Sequence, residues 1–299
     1  MTYECFDVDV QNHVAHITFS RPDKRNSMIP AFWTELPSLI NKLDQSGSVR
    51  AIVLSSTGPH FTSGMDVSVF TASAGAGDSP QEDDLPIDVD SLRERQKAAR
   101  FYETVKRLQR SFTCFEQCRV PVLTAVQGGC IGAGVDLTSA CDIRYCTADA
   151  FFTIYETNLA MTADVGTFPR LCKLLPDGLV RELAYTGRAM PASEAREYGL
   201  VNAVYDSQEK MLESVLNIAA EIATKAPLAV HGCKKMILHA RDHSVADTLD
   251  YVGLWNAGFF QRDEIVEAMT AAKQKRDARF APLPAVPDEH NPDESVVLP

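Results

Sequence analysis

The chain has 299 residues, 45% of them hydrophobic and 23% charged, enough to bury a large core as one big domain or two small ones. A net charge of −11 argues against a nucleic-acid surface, which carries a basic stripe, but leaves room for a small basic pocket. No apolar stretch approaches the length of a membrane span, and the N-terminus MTYECFDVDVQNHVAHITF lacks the basic and apolar regions of a secretory signal.

From the N-terminus, HVAHITFS alternates around Val14 and Ile17 and stops at RPDKRNS, a strand followed by a turn. IPAFWTELPSLINKLDQ carries Phe32, Leu36, Leu39, Ile40 and Leu43 at helical spacing. VRAIVLSST is a short β-branched run typical of a strand buried on both faces. Strand and helix alternating in this way imply βα units with parallel pairing, an α/β fold. The small, polar segment 71–91 is expected to be a mobile surface loop. After it, LRERQKAARFYETVKRLQRSFTCFEQC reads as an amphipathic helix with Phe101, Val105, Leu108, Phe112 and Phe115 in one core-facing stripe. PVLTAVQGG reads as another buried strand, IRYCTADAFFTIYE as two short strands, and the chain from Gly178 onward as mostly helical. The final APLPAVPDEHNPDESVVLP is Pro-rich and acidic, and disorder is expected there. Eight cysteines sit mostly beside apolar residues; with no CxxC pair they read as reduced core residues rather than metal ligands.

The chemistry concentrates in AVQGGCIGAGVDLTSACDIRY, residues 125–145. Asp136 stands there among Ile131, Val135 and Leu137, and a carboxylate in apolar surroundings shifts its pKa or finds a partner. Gly128, Gly129, Gly132 and Gly134 follow a strand and open a helix. Their spacing is not that of a dinucleotide or phosphate loop, and close packing of helix on sheet is the plain alternative. Glycines at a helix start also let backbone N–H groups approach a ligand oxygen and stabilise developing negative charge. A second such donor is available from Ser63, Gly64 and Met65 in GPHFTSGMDV, just after the AIVLSS strand, although a Ser-Gly there is by itself only a turn. Glu156 and Asp164 follow, again in apolar context. Singly, each reads as a salt bridge or a helix cap. Three lightly solvated acids in one region point instead to proton transfer.

RPDKRNS, FTSGMD, GGCIGAGVDLTSACDIRYC, DAFFTIYETNLAMTADVGTFPRL and TGRAMPASEAREYGLVNAV resemble, in order, the landmarks of the crotonase (enoyl-CoA hydratase/isomerase) superfamily. The resemblance implies a spiral of ββα repeats with a helical C-terminal trimerisation region, and homotrimers or homohexamers. It implies an acyl-CoA thioester substrate, with neither metal nor cofactor, since coenzyme A is part of the substrate. The thioester oxygen is then expected between the N–H groups of Met65 and Ala133; many members have Gly where Ala133 stands, which a backbone donor tolerates. A hydratase of the family has Glu at the position of Asp136 and no acid at that of Asp164. Asp136, Glu156 and Asp164 together resemble the family's dienoyl-CoA isomerases, which move a 3,5-diene into 2,4-conjugation in fatty acid β-oxidation. Glu156 and Asp164 are then expected to exchange protons with C2 and C6, with Asp136 hydrogen-bonded to Asp164, biasing it or directly assisting it. Ser63, Gly64, Met65, Asp66 and Val67 would line the pantetheine path, and Lys24 and Arg25 would stand near the nucleotide. Lys234, Lys235, Lys273 and Lys275 are candidates to meet CoA phosphates from a neighbouring subunit.

The expected organisation is a core over 1–205, a helical region over 206–280 and a tail over 281–299. A soluble intracellular protein is expected, peroxisomal or mitochondrial by resemblance, although neither terminus shows that address. An enoyl-CoA hydratase, a Δ3-Δ2-enoyl-CoA isomerase and a non-catalytic acyl-CoA-binding scaffold are the alternative readings.

Overall fold

A computed structural model describes residues 3–66, 68 and 89–286. Strand β1 (Phe6–Gln11) turns back on β2 (Val14–Phe19) through Asn12 and His13, both at positive φ (49° and 69°). Two such residues give the tight hairpin whose twist matches its strands. From β2 the sheet is parallel, through β3 (Ala51–Ser56), β4 (Val122–Val126), β6 (Ile143–Thr147) and β9 (Ala203–Tyr205). A second sheet joins β5 (Gly129–Ile131), β7 (Phe151–Thr153) and β8 (Ala189–Pro191). Every residue of β3 and β4 is buried, which is why both read as unbroken apolar runs.

One face of the large sheet packs Ile17, Phe19, Ile52 and Leu54 against Phe32, Phe112 and Phe115 from two helices, Pro30–Gln45 and Val89–Gln117. The other face is covered by the Gln208–Ala223 helix, which buries Met211, Val215, Ala219 and Ala223 on Val53, Leu123 and Ala125. The helical C-terminal region therefore begins with an element of the core. Three further helices follow, Pro227–Ala240, Val245–Phe259 and Arg262–Gln274.

The structure departs from the sequence expectations at several points. The expected 71–91 loop lies outside the described residues as far as 88, and the chain is helical from Val89. Phe101, assigned to the core stripe, is 62% exposed, while Phe112 and Phe115 are fully buried. Only the C-terminal part of that long helix reaches the core. Residues 281–286, assigned to a disordered tail, bury Leu283 in the core, and Val286 N–H donates to Gln45 O (3.0 Å). Residues 287–299 lie outside the described ones.

Lys234 is not a phosphate contact. Its ammonium is buried, donating to Phe115 O (2.6 Å), Val120 O (2.8 Å) and Asp142 Oδ2 (2.9 Å). Asp142 Oδ2 also accepts from Val122 N–H, so the pair pins the Pro227–Ala240 helix to the edge of β4. Lys235, Lys273 and Lys275 are exposed. Lys234→Ala leaves two backbone carbonyls and the partly exposed Asp142 without their donor and opens space under the helix, and is expected to destabilise the fold by about 2–4 kcal/mol. Urea midpoints of the two proteins check this; an unchanged midpoint would show that the pair carries no stability.

Candidate active site

The chain leaves β4, crosses to β5, and then turns sharply into the Ala133–Ala140 helix. The turn is made by Gly132 at φ 53°, ψ −118°, a conformation only glycine adopts readily. All eight helix residues are buried. Alongside runs the segment 61–66: Phe61 N–H donates to Gln127 O (2.8 Å), Thr62 N–H to Gly129 O (3.1 Å) and Ile131 N–H to Thr62 O (3.2 Å). The approach is tightest at Gly64 (φ 83°), where a Cβ would lie 2.6 Å from Ile131 O and 3.4 Å from Ala133 N. Met65 is thereby brought beside the first residue of the helix.

The N–H groups of Met65 and Ala133 are both unspent among the described residues. Met28 N–H donates to Gly64 O (2.8 Å) and Asp66 N–H to Met28 O (3.1 Å), so the pairing skips Met65. Ala133 is the first helical residue, whose N–H has no partner within the helix. Two free N–H groups on adjoining segments are what a developing oxyanion requires.

Asn26 anchors this corner, and the sequence reading missed it. It is buried at φ 52°. Its side chain accepts from Arg21 N–H (3.0 Å) and donates to Thr57 O (2.9 Å) and His60 O (3.1 Å), while its own carbonyl accepts from Thr62 Oγ1 (2.7 Å). An Asn that follows a turn and tolerates a left-handed backbone is the one signal that points to it. Ser63 N–H donates to Arg25 O (2.9 Å); the side chains of Lys24 and Arg25 stand at the surface. Asp66 holds its own turn, accepting from Ser27 Oγ (3.0 Å) and Ser68 Oγ (2.6 Å), and these bonds keep its carboxyl below the usual range. Val67 lies outside the described residues.

The three acids differ in burial. Asp136, in the first turn of the glycine-led helix, is 1% exposed, and burial raises its carboxyl to about 7 against a hydrogen bond from Thr167. Glu156 opens the short helical turn Glu156–Leu159 and is half-buried, with Oε2 enclosed and without a hydrogen-bond partner among the described residues. Its Oε1 faces Gly132, where a Cβ would lie 3.3 Å away. Burial and then the charge of Asp164 raise its pKa. Asp164, expected to be lightly solvated, is exposed in this chain, although partial burial of its carboxyl still raises its pKa. It borders an open cavity of about 510 Å³, shared with Gln109, Thr113, Glu116 and Arg170. Gln109 Nε2 donates to the Asp164 carbonyl (2.8 Å).

Of the roles expected for Asp136, the hydrogen bond to Asp164 is not formed; its Oδ1 accepts from Thr167 Oγ1 (2.7 Å) instead. The acid whose charge reaches it is Glu156. The reason is local: two residues separate Asp164 from Thr167, and the chain passes through Gly166 at φ 137° before the Thr167–Leu174 helix places the threonine, not the acid, against Asp136.

A carboxyl held at about 7, far above its ordinary 3.8, makes the native state bind the extra proton. The stability this gives is full below about pH 4 and is lost as pH rises through about 7. Asp136→Asn removes that slope: wild type is expected to lose more stability than the variant between pH 5 and pH 8. Thermal midpoints at the two pH values check this, and parallel curves would contradict it.

Comparison with known proteins places the chain in a family. The enoyl-CoA hydratase/isomerase family profile matches residues 9–86 and 87–282. Over 279 residues the chain is 41% identical to the mitochondrial Δ(3,5)-Δ(2,4)-dienoyl-CoA isomerase of Mus musculus, covering 93% of this chain and 82% of that protein. It is 39% identical over 286 residues to the peroxisomal Δ(3,5)-Δ(2,4)-dienoyl-CoA isomerase of Arabidopsis thaliana, covering 94% and 98%. Among solved structures, the enoyl-CoA hydratase of Bacillus anthracis superposes with a TM-score of 0.78 at 27% identity, covering 93% of this chain and 99% of the other. The chain thus belongs to the enoyl-CoA hydratase/isomerase family.

Proposed function

We propose that this chain is an enzyme that converts 3,5-dienoyl-CoA into 2,4-dienoyl-CoA. The observation that carries the reading is the pair of unspent N–H groups with Asp136 and Glu156 near the Ala133 helix start, and Asp164 close enough to raise Glu156 by its charge. The relatives named for this reaction, at 39–41% identity, support it. The thioester oxygen accepts from Met65 and Ala133. One carboxylate takes a proton from C2, and the electron pair runs into the thioester oxygen to form a dienolate. As the oxyanion collapses, the electrons return along the chain and C6 takes a proton from the second carboxyl group. C2=C3 and C4=C5 are the double bonds that result.

This requires one carboxyl ionised and one protonated at the same pH. Burial raises both Glu156 and Asp164, and the charge of Asp164 raises Glu156 further, so the pair keeps a proton where a solvated pair would lose both. Asp136 adds a third interacting site to that titration. The chemistry draws on the thioester, the two N–H groups and the carboxyls alone. Arg25 and the segment 63–67 are our candidates for holding the coenzyme A moiety.

The exposed Leu249, Leu254, Val266 and Met269 on the last two helices support a trimer-based assembly through the C-terminal region. Among the described residues no helix is long and apolar enough to cross a membrane, and we place the protein in mitochondria or peroxisomes, the locations in its relatives' names. The test is turnover by purified protein of 3,5-dienoyl-CoA beside crotonyl-CoA. Growth of conjugated-diene absorbance supports the reading; efficient hydration of crotonyl-CoA without diene turnover rejects it in favour of a hydratase.

A further inference from the structure

Thr167 lies at the junction of the two halves of the site. It is fully buried, begins the Thr167–Leu174 helix, and stands three residues after Asp164. Its Oγ1 donates to Asp136 Oδ1 (2.7 Å), on the helix that supplies the Ala133 N–H. With a backbone hydrogen bond from the same residue, that bond ties the oxyanion-binding helix to the segment that carries a proton-transfer acid. The two helices pack directly on each other.

A hydroxyl can donate to a carboxylate, but a methyl group in its place cannot, and the cost of losing that bond falls on the ionised form. Resting on the isomerase reading above, we propose that Thr167 is a positioning residue: its hydroxyl, donating to Asp136 Oδ1, fixes that carboxyl near Glu156 and in register with the Asp164 segment. Losing the bond makes Asp136 harder to ionise, and because the charge of Glu156 already raises Asp136, the change is carried in the titration of the pair. Thr167 itself meets no substrate atom in this account.

The groups around Asp136 come from several elements. Glu156 faces it from the turn after β7, and its charge raises Asp136. The Cys130 thiol faces it from β5. Arg170, one turn beyond Thr167, lowers it and is itself paired with Glu116 of the Val89–Gln117 helix (2.6 Å). Glu116 is shared with Arg241 (2.8 Å), so the guanidinium of Arg170 is already engaged. The threonine hydroxyl donates the side-chain hydrogen bond to the Asp136 carboxyl.

The test compares wild type, Thr167→Val and Thr167→Ser, with Thr167→Ala in place of Val should that variant not fold. Asp136 ionisation is read by isotope-edited infrared titration of labelled Asp carboxyls, with Asp136→Asn identifying the band, and kcat and KM for 3,5-dienoyl-CoA are measured across pH. A hydrogen bond to a charged group is of the size that moves a carboxyl by about one pH unit. The expected result is an Asp136 midpoint about one unit higher in the valine variant, with the acidic limb of kcat following it and KM unchanged. Serine restores both. A midpoint that stays in place, or one that moves while the kcat limb does not, overturns the proposal. Wild-type protein without diene turnover sinks the isomerase reading instead, and the infrared midpoint alone then decides whether Thr167 sets Asp136.

Discussion

Glu156→Gln and Asp164→Asn are each expected to lower kcat for 3,5-dienoyl-CoA by a factor of about 10² to 10⁴, with KM little changed. Both substitutions keep the size of the side chain and remove only its capacity to hold or release a proton. Glu156 Oε2 is enclosed and without a partner among the described residues, and an amide keeps one oxygen to accept the backbone hydrogen bonds the carboxyl receives. Asp164 is exposed and holds its neighbours through its backbone carbonyl, which the substitution leaves intact. Neither change should unfold the protein, and thermal midpoints near wild type are part of the expected result. Because the two groups serve one proton relay, the double variant is expected to be scarcely worse than the worse single one. Steady-state kinetics check this. A single variant that retains wild-type kcat would remove that residue from the mechanism.

Gly64→Ala is expected to lower kcat/KM by a factor of about 10² to 10³, the loss associated with one misplaced oxyanion donor. Two effects act together. At φ 83° an L residue is strained, and the added Cβ would stand 2.6 Å from Ile131 O, a backbone atom with little room to yield. The Met65 and Ala133 segments must then part, and the N–H groups that face the thioester oxygen separate. Gly178→Ala is the control, since its added methyl meets nothing within 4 Å. An active Gly64→Ala protein would show that the oxygen is held elsewhere.

How far the sequence could be read depends on how local each signal is. β3 and β4 were legible because both faces are buried, so their apolar character is continuous. β1 was not: Asp7 and Asp9 alternate with Val8 and Val10, and a His in the hairpin turn hides the usual Asn-Gly signature. Phe101 was misassigned because helical spacing identifies an apolar face without saying where along the helix the core ends. Asp136 stood out because its own neighbours are apolar. Its partner did not, since Thr167 lies 31 positions away and a threonine after a Gly looks like any helix start. Lys234 shows the same limit: nothing beside it in sequence announces Asp142, 92 positions earlier. The exposure of Asp164 depends on packing around a cavity, which no local pattern encodes.

The most direct measurement follows hydrogen exchange in D2O by NMR, using 3,5-dienoyl-CoA with wild type, Glu156→Gln and Asp164→Asn. Wild type is expected to deliver one deuterium to C6 of the product. The two variants are expected to part company: one still exchanges the C2 hydrogens of unreacted substrate with solvent, and the other leaves C2 untouched. Equal C2 exchange in both variants, or deuterated product from either at the wild-type rate, would contradict a division of labour between the two acids.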